Sequence, residues 1–153
     1  VDRLDLHRYM GTWYEIARFD HRFERGLSEV TATYTLMPDG TVRVENRGCK
    51  HKKPYDVCKT AEGRAKIPDP SQPGKLKVSF FLSFYSDYYV LELDQDEYNY
   101  ALIGSSSDKY LWILSRAPIL PEEIKKKLLD AATRRGYDVK KLIWVEQREK
   151  KIM

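Results

Sequence analysis

Short segments in which apolar and polar residues alternate constrain the fold of this chain more than any other feature. In residues 41–47, Val42, Val44 and Asn46 alternate with three charged side chains. The clearest run, 75–84, has an apolar residue at every second position, namely Leu76, Val78, Phe80, Leu82 and Phe84. Period-two alternation is typical of a β-strand with one face buried and the other in water. The sequence therefore predicts an all-β protein.

Eight such segments precede a change of period. The predicted strands begin at Gly11 and then cover 31–36, 41–47, 60–66, 75–84, 88–93, 101–105 and 110–116. From Pro121 the apolar residues follow helical spacing, and Gly136 is placed to end that helix. Residues 142–145 predict a short final strand. No linker or repeat divides the 153 residues, so we expect a single domain over 1–153.

Two motifs near opposite ends of the strand region bear on how the sheet closes. Gly11 lets the chain enter a strand without a Cβ clash, and the indole of Trp13 is large enough to plug the narrow end of a small barrel. The second motif is the run from Trp112 to Arg116. Together with 20–27, 30–36 and 138–145, these segments resemble the lipocalin family, in particular bacterial outer-membrane lipoprotein lipocalins and apolipoprotein D-like lipocalins.

The resemblance implies a fold in more detail. We expect an eight-stranded antiparallel up-and-down barrel, or calyx, with one C-terminal α-helix packed outside it and a short final strand. The base would be formed by Gly11, Trp13 and Arg116, with the arginine lying flat across the indole. The strand 88–93 is apolar on both faces, and the resemblance favours Tyr88, Val90 and Glu92 as inward.

The residues predicted to face inward mix large rings with small side chains. Close filling of an eight-stranded barrel would then be incomplete, and a cavity for one small ligand is expected. The alternative is that the same side chains simply fill a core. The residues predicted to bind the ligand are Tyr34, Val44, Asn46, Val78, Phe80, Leu82, Tyr88, Val90, Ile103 and Trp112.

The connectivity that the resemblance implies places several basic and aromatic residues in the loops around the open end. The residues predicted to form this mouth are Arg22, Phe23, Arg25, Lys50, Lys52, Lys53 and Tyr85. A cationic rim over an apolar well suits an amphiphile with an acidic head, such as a fatty acid or a lysophospholipid. Two alternatives stay open: the charges are ordinary solvated loop residues, or the rim contacts an anionic membrane surface.

The two cysteines bear on the compartment. Cys49 and Cys58 flank a polar loop and can meet the geometry of a disulfide, although two unpaired thiols are the alternative. A disulfide indicates an oxidising compartment, and the lack of any Asn-x-Ser/Thr sequence favours a bacterial source. With the resemblance, this predicts the bacterial cell envelope: an outer membrane-anchored lipoprotein facing the periplasm, its N-terminal lipid anchor absent from this chain.

The remaining features exclude other function classes. The net charge of +4 comes from scattered basic residues, so no nucleic-acid partner is expected. No grouping of residues predicts a metal site, and no cofactor is expected. Neither a Ser-His-Asp set nor paired carboxylates converge, so the chain is not predicted to be an enzyme. The leading hypothesis is a carrier or store for small amphiphilic lipids; a lipocalin-fold enzyme and a membrane or protein interaction module remain as alternatives.

Overall fold

The computed structural model describes residues 1–20, 26–50, 56–81 and 84–147, in which nine strands and two α-helices form. A short helix α1 (Leu6–Tyr9) precedes β1 (Gly11–Phe19), and a longer helix α2 (Glu122–Arg134) and a 3-10 turn (Val139–Lys141) follow β8. The other strands are β2 (Ser28–Leu36), β3 (Val42–Lys50), β4 (Val57–Lys66), β5 (Lys75–Phe81), β6 (Phe84–Leu93), β7 (Tyr100–Gly104), β8 (Trp112–Ser115) and β9 (Leu142–Trp144).

The first eight strands form a closed antiparallel barrel. Each strand pairs with the next one in sequence, and β1 pairs with both β2 and β8. Residues 11–14 of β1 pair with β2, whereas residues 17–19 pair with β9 outside the barrel. The short strand β9 therefore pairs with the part of β1 that β2 does not reach. The predicted fold class is confirmed.

Two separate apolar cores follow from this arrangement. One lies inside the barrel and includes Trp13, Tyr34 and Ile103. The other lies between the barrel wall and α2, where Leu128 and Ala132 of the helix are fully buried together with outward-facing residues of β1, β7 and β8. The inner core determines what can enter the barrel, while the outer core holds the helix against the wall.

The boundary between β5 and β6 differs from the predicted strand 75–84. Phe81, the last residue of β5, pairs directly with Phe84, the first residue of β6, so the predicted strand is divided between the two. Tyr85, predicted to lie in the loop, is a residue of β6. The sequence pattern missed this division because the apolar alternation runs through 75–84 without a glycine or proline after Gly74.

Of the three residues of β6 predicted to face inward, Glu92 does not. The pairing with β7 shifts register between Val90 and Glu92, which is the mark of a β-bulge. After the bulge Glu92 faces outward, where its carboxylate accepts a hydrogen bond from Arg135 at 3.0 Å. Leu93 then contributes to the inner core.

Candidate ligand-binding site

The closed end of the barrel is sealed by Trp13 and Arg116. The indole is fully buried, and the Arg116 guanidinium carbon lies 3.9 Å from the centre of its ring. The guanidinium also donates hydrogen bonds to three backbone carbonyls, those of Arg8 at 2.7 Å and of Thr12 and Tyr98 at 3.2 Å each. One side chain therefore joins the chain before β1, the start of β1 and the turn between β6 and β7.

Gly11 is needed at this base because of its backbone conformation and its neighbour. Its φ is +100°, a region that side-chain-bearing residues rarely adopt. A Cβ at this position would also lie 3.3 Å from a terminal nitrogen of Arg116. The glycine, indole and guanidinium thus depend on one another in the geometry of the base.

Above the base, three tyrosines form the floor of the barrel interior. Tyr9 comes from α1, Tyr34 from β2 and Tyr88 from β6. The Tyr88 hydroxyl is 2.5 Å from that of Tyr9 and 2.8 Å from that of Tyr34. The Tyr9 ring lies 5.0 Å from the Trp13 ring, and the Trp13 Nε1–H donates to the Tyr9 carbonyl at 2.8 Å. We call these three residues the tyrosine triad.

A cavity of about 80 Å³ lies inside the barrel, and most of its wall is apolar. Of the residues predicted to bind the ligand, seven line it: Tyr34, Val44, Asn46, Val78, Tyr88, Ile103 and Trp112. The wall also contains Val30, Thr31, Ala32, Leu114 and Glu15. The structure therefore brings together side chains from seven strands around one open space.

The other predicted ligand-binding residues are placed differently. Val90 is 1% exposed and belongs to the packed inner core, not to the lining of the cavity. The N-terminal residue lies close by: the amino group of Val1 donates to the Val90 carbonyl at 2.7 Å, and Val1 packs against the inner core. Phe80 lies in β5 with its side chain outside the description, and Leu82 lies outside the described residues.

Glu15 is a lining residue that the sequence analysis missed. Its carboxylate lies 3.5 Å from the Arg18 guanidinium, and both side chains are almost fully buried. Arg18 also donates to the Leu27 carbonyl at 3.1 Å. Continuing the period-two alternation from the inward Trp13 would have placed Glu15 on the same face. The cavity wall therefore contains a carboxylate, that of Glu15, whose charge is balanced by the guanidinium of Arg18.

At the open end the structure describes only part of the predicted mouth. The predicted disulfide is confirmed, because Cys49 and Cys58 are bonded and occupy directly paired positions of β3 and β4. Lys50 is half-buried at the end of β3, close to Gly26. Arg22, Phe23, Arg25, Lys52 and Lys53 lie outside the described residues. Near this end the Tyr110 ring stacks on Trp112 with centroids 5.8 Å apart.

Burial changes the acidity of the triad. It raises the pKa of Tyr9 and of Tyr88 well above the ordinary value of 10. In the folded protein both phenols therefore stay neutral, and the hydroxyls keep the protons that their mutual hydrogen bonds require.

We expect stability to fall above pH 10 because of these two phenols. Below that pH both states hold the protons, so the stabilising contribution is fully present; above it the unfolded chain loses them first. Each tyrosine should then lower the free energy of unfolding by about 1.4 kcal/mol per pH unit. Urea unfolding across this range would measure the slope. Tyr88→Phe should reduce the slope, and an equal slope in the wild-type and Tyr88→Phe proteins would contradict this assignment.

Neither a membrane-spanning helix nor a metal cluster is found in the part of the chain that the structure describes. Within those ranges no helix has the length and apolarity needed to cross a bilayer. The same residues contain no group of three or more histidine, cysteine, aspartate or glutamate side chains able to hold a metal ion.

Comparison with known proteins identifies the family. The family model of the lipocalin-like domain matches residues 4–147, which is nearly the whole chain. The chain belongs to the lipocalin family. This family binds small hydrophobic ligands, and its members are generally binding proteins, not enzymes.

Curated relatives place this lipocalin within the family. It is 50% identical over 147 residues to outer membrane lipoprotein Blc of Citrobacter freundii, covering 96% of this chain and 81% of the relative. The same figures hold for outer membrane lipoprotein Blc of Escherichia coli strain K12. Apolipoprotein D of Mus musculus is 34% identical over 154 residues, covering 95% of this chain and 78% of the relative. The predicted resemblances to bacterial outer-membrane lipoprotein lipocalins and to apolipoprotein D-like lipocalins are both confirmed.

A solved structure supports the fold of this lipocalin independently. Insecticyanin from the tobacco hornworm Manduca sexta superposes with a TM-score of 0.74 at 23% identity, covering 97% of this chain and 84% of that one. At this level of identity the similarity establishes the barrel and its outer helix, not the ligand.

Proposed function

We propose that this lipocalin binds and carries or stores small single-chain amphiphiles, a fatty acid or a lysophospholipid, with the acyl chain in the cavity and the acidic head at the mouth. The observation that carries this proposal is the lined cavity. Aliphatic and aromatic side chains form most of its wall, and Asn46, Tyr34 and Tyr88 are among its few polar residues. Such a wall suits an acyl chain.

The size of the cavity favours one chain over a ring system. Its volume of about 80 Å³ is well below the roughly 300 Å³ at which drug-sized pockets begin. A slender chain can thread such a space and extend beyond it toward the open end, whereas a fused ring system would need the wall to move. Fatty acids and lysophospholipids each carry a single acyl chain.

The location we propose is the cell envelope, as an outer membrane-anchored lipoprotein facing the periplasm. Two observations support it. The relatives at 50% identity are named outer membrane lipoproteins, and the disulfide is typical of proteins that mature in an oxidising compartment.

Fluorescence of Trp112 tests the cavity directly. Its indole lines the cavity, so entry of hexadecanoic acid should change its emission, whereas Trp144, 47% exposed on the outside of the barrel, should barely respond. Titration of Trp144→Phe should retain the signal change, and titration of Trp112→Phe should lose most of it. The reverse pattern, or no displacement of a fluorescent fatty-acid probe, would overturn the proposal.

The head-group part of the proposal is tested by comparing an acid with its alcohol. If rim charges bind the head, hexadecanoic acid should bind more tightly than hexadecanol, and the difference should shrink as salt rises, since exposed charges are screened within about 10 Å at 0.1 M. Removing the charge at Lys50, Lys52 and Lys53 should weaken the acid selectively, while the same change at Lys140 and Lys141, next to β9, serves as the control. Equal binding of acid and alcohol would leave an apolar calyx without head-group recognition.

A further inference from the structure

The tyrosine triad is a polar cluster in a lumen that is otherwise mainly apolar. Three hydroxyls from three separate elements meet there within 2.5 and 2.8 Å of the central one. Burying a hydroxyl without a partner is costly, and each of these three has at least one partner within the triad. Two hydrogen bonds use only two of the three hydroxyl protons, so the triad keeps hydrogen-bonding capacity beyond its own contacts.

The triad lies where a ligand would end. Tyr34 and Tyr88 line the 80 Å³ cavity, and both also line a second cavity of about 10 Å³ whose wall includes Tyr9, Leu6 and Met10 of the N-terminal segment. The second space is about as large as one water site. A chain entering from the mouth therefore meets the hydroxyls of Tyr34 and Tyr88 before it can go deeper.

Hydroxyl chemistry determines what the triad can accept at that point. Each phenol has one donor and two acceptor positions. Tyr88 has a single proton for two hydrogen bonds, so at least one of its neighbours donates to it. A ligand hydroxyl, which both donates and accepts, can join such a chain and leave every phenol paired. A terminal methyl group can only pack against the chain.

We propose that the tyrosine triad is a subsite for oxygenated acyl chains, binding a hydroxyl carried on the inner end of the ligand. The inference rests on the proposed function, because it assumes that an acyl chain fills the cavity. An apolar pocket discriminates by about a hundredfold against a ligand that adds a hydroxyl. The triad offsets that penalty, so the protein accepts chains that an all-apolar floor would reject.

The test compares dodecanoic, tetradecanoic and hexadecanoic acids with their ω-hydroxy derivatives by displacement of a fluorescent fatty-acid probe. In the wild-type protein we expect the best-fitting ω-hydroxy acid to bind within about threefold of its parent. In the triple variant Tyr9→Phe, Tyr34→Phe and Tyr88→Phe, the same ω-hydroxy acid should bind at least about tenfold more weakly than its parent acid binds to that variant, so the readout is the ratio of the two affinities. Replacing all three together leaves no hydroxyl unpaired and keeps the rings.

Two controls keep the outcomes separate. Tyr89→Phe removes a phenol from the next residue of β6, one whose side chain does not line the cavity, and should leave both affinities unchanged. If the triple variant does not fold, Tyr34→Phe should show the same selective loss in smaller degree. An equal penalty for the ω-hydroxyl in wild-type and variant proteins would overturn the subsite and leave the proposed function standing. Failure of every acid to displace the probe would overturn the proposed function, and the subsite with it.

Discussion

Trp13→Ala is expected to lower the free energy of unfolding by about 3 to 5 kcal/mol, the usual cost of truncating a buried tryptophan. The indole is fully buried, its Nε1–H donates to the Tyr9 carbonyl, and Arg116 lies on its face. Removing it opens a void at the base and takes away the surface that orients the guanidinium. Urea unfolding monitored by circular dichroism would measure the loss.

The matched control is Trp144→Ala. That side chain is 47% exposed, and the Lys125 ammonium lies 5.5 Å from the centre of its ring. A cation–π contact at an exposed site contributes about 0.5 to 1 kcal/mol, and no void opens in a core, so this variant should lose clearly less stability than Trp13→Ala. A Trp13→Ala protein that kept the wild-type melting temperature and lost only ligand affinity would show that Trp13 belongs to the ligand site and not to the base.

Reduction of the disulfide between Cys49 and Cys58 is expected to cost about 2 to 3 kcal/mol. The bond closes a short loop, with a sequence separation of 9, and so restricts the unfolded chain more than it alters the folded one. The cysteines already face each other across β3 and β4. Unfolding of the oxidised and reduced wild-type protein, compared in urea, would give the difference.

The Cys49→Ala/Cys58→Ala variant distinguishes the effect of losing the disulfide from any other effect of the reductant. It should match the reduced wild-type protein apart from a small packing loss at the buried Cys49, and added reductant should not change it further. Thiol titration in denaturant should find reactive thiols in the wild-type protein only after reduction. Equal stability of the oxidised and reduced proteins would show that the hairpin ends are held together without the bond.

The strand faces and the base were predictable because their signals are local. Alternation in β3 and β5 places Val44 and Val78 in the cavity wall without any knowledge of the rest of the chain. The contact between Arg116 and Trp13 at the base was implied by the resemblance to lipocalins, whose glycine, tryptophan and arginine each stand in a short motif of this sequence. Such features depend on residue type and spacing, which the sequence displays directly.

The tyrosine triad and the change of facing in β6 were not predictable from the sequence. The first depends on closure of the barrel, and the second depends on the register between β6 and β7. Tyr9 belongs to a four-residue helix before the first strand, and only the closed barrel brings it to Tyr34 and Tyr88. The bulge in β6 reverses parity after Val90, and no glycine or proline marks it. Alternation gives the side of a strand but not the depth along it, so it could not separate the buried Val90 from the lining Val78.

Arg116 makes the base independent of what fills the barrel. Its guanidinium packs on the indole and donates hydrogen bonds to backbone carbonyls. Those carbonyls are present whatever side chains the neighbouring residues carry. The residues that line the cavity lie higher on the strands and take no part in those bonds. Evolution or design can thus replace the lining residues to suit a different ligand while the contacts of Arg116 keep the base of the barrel closed.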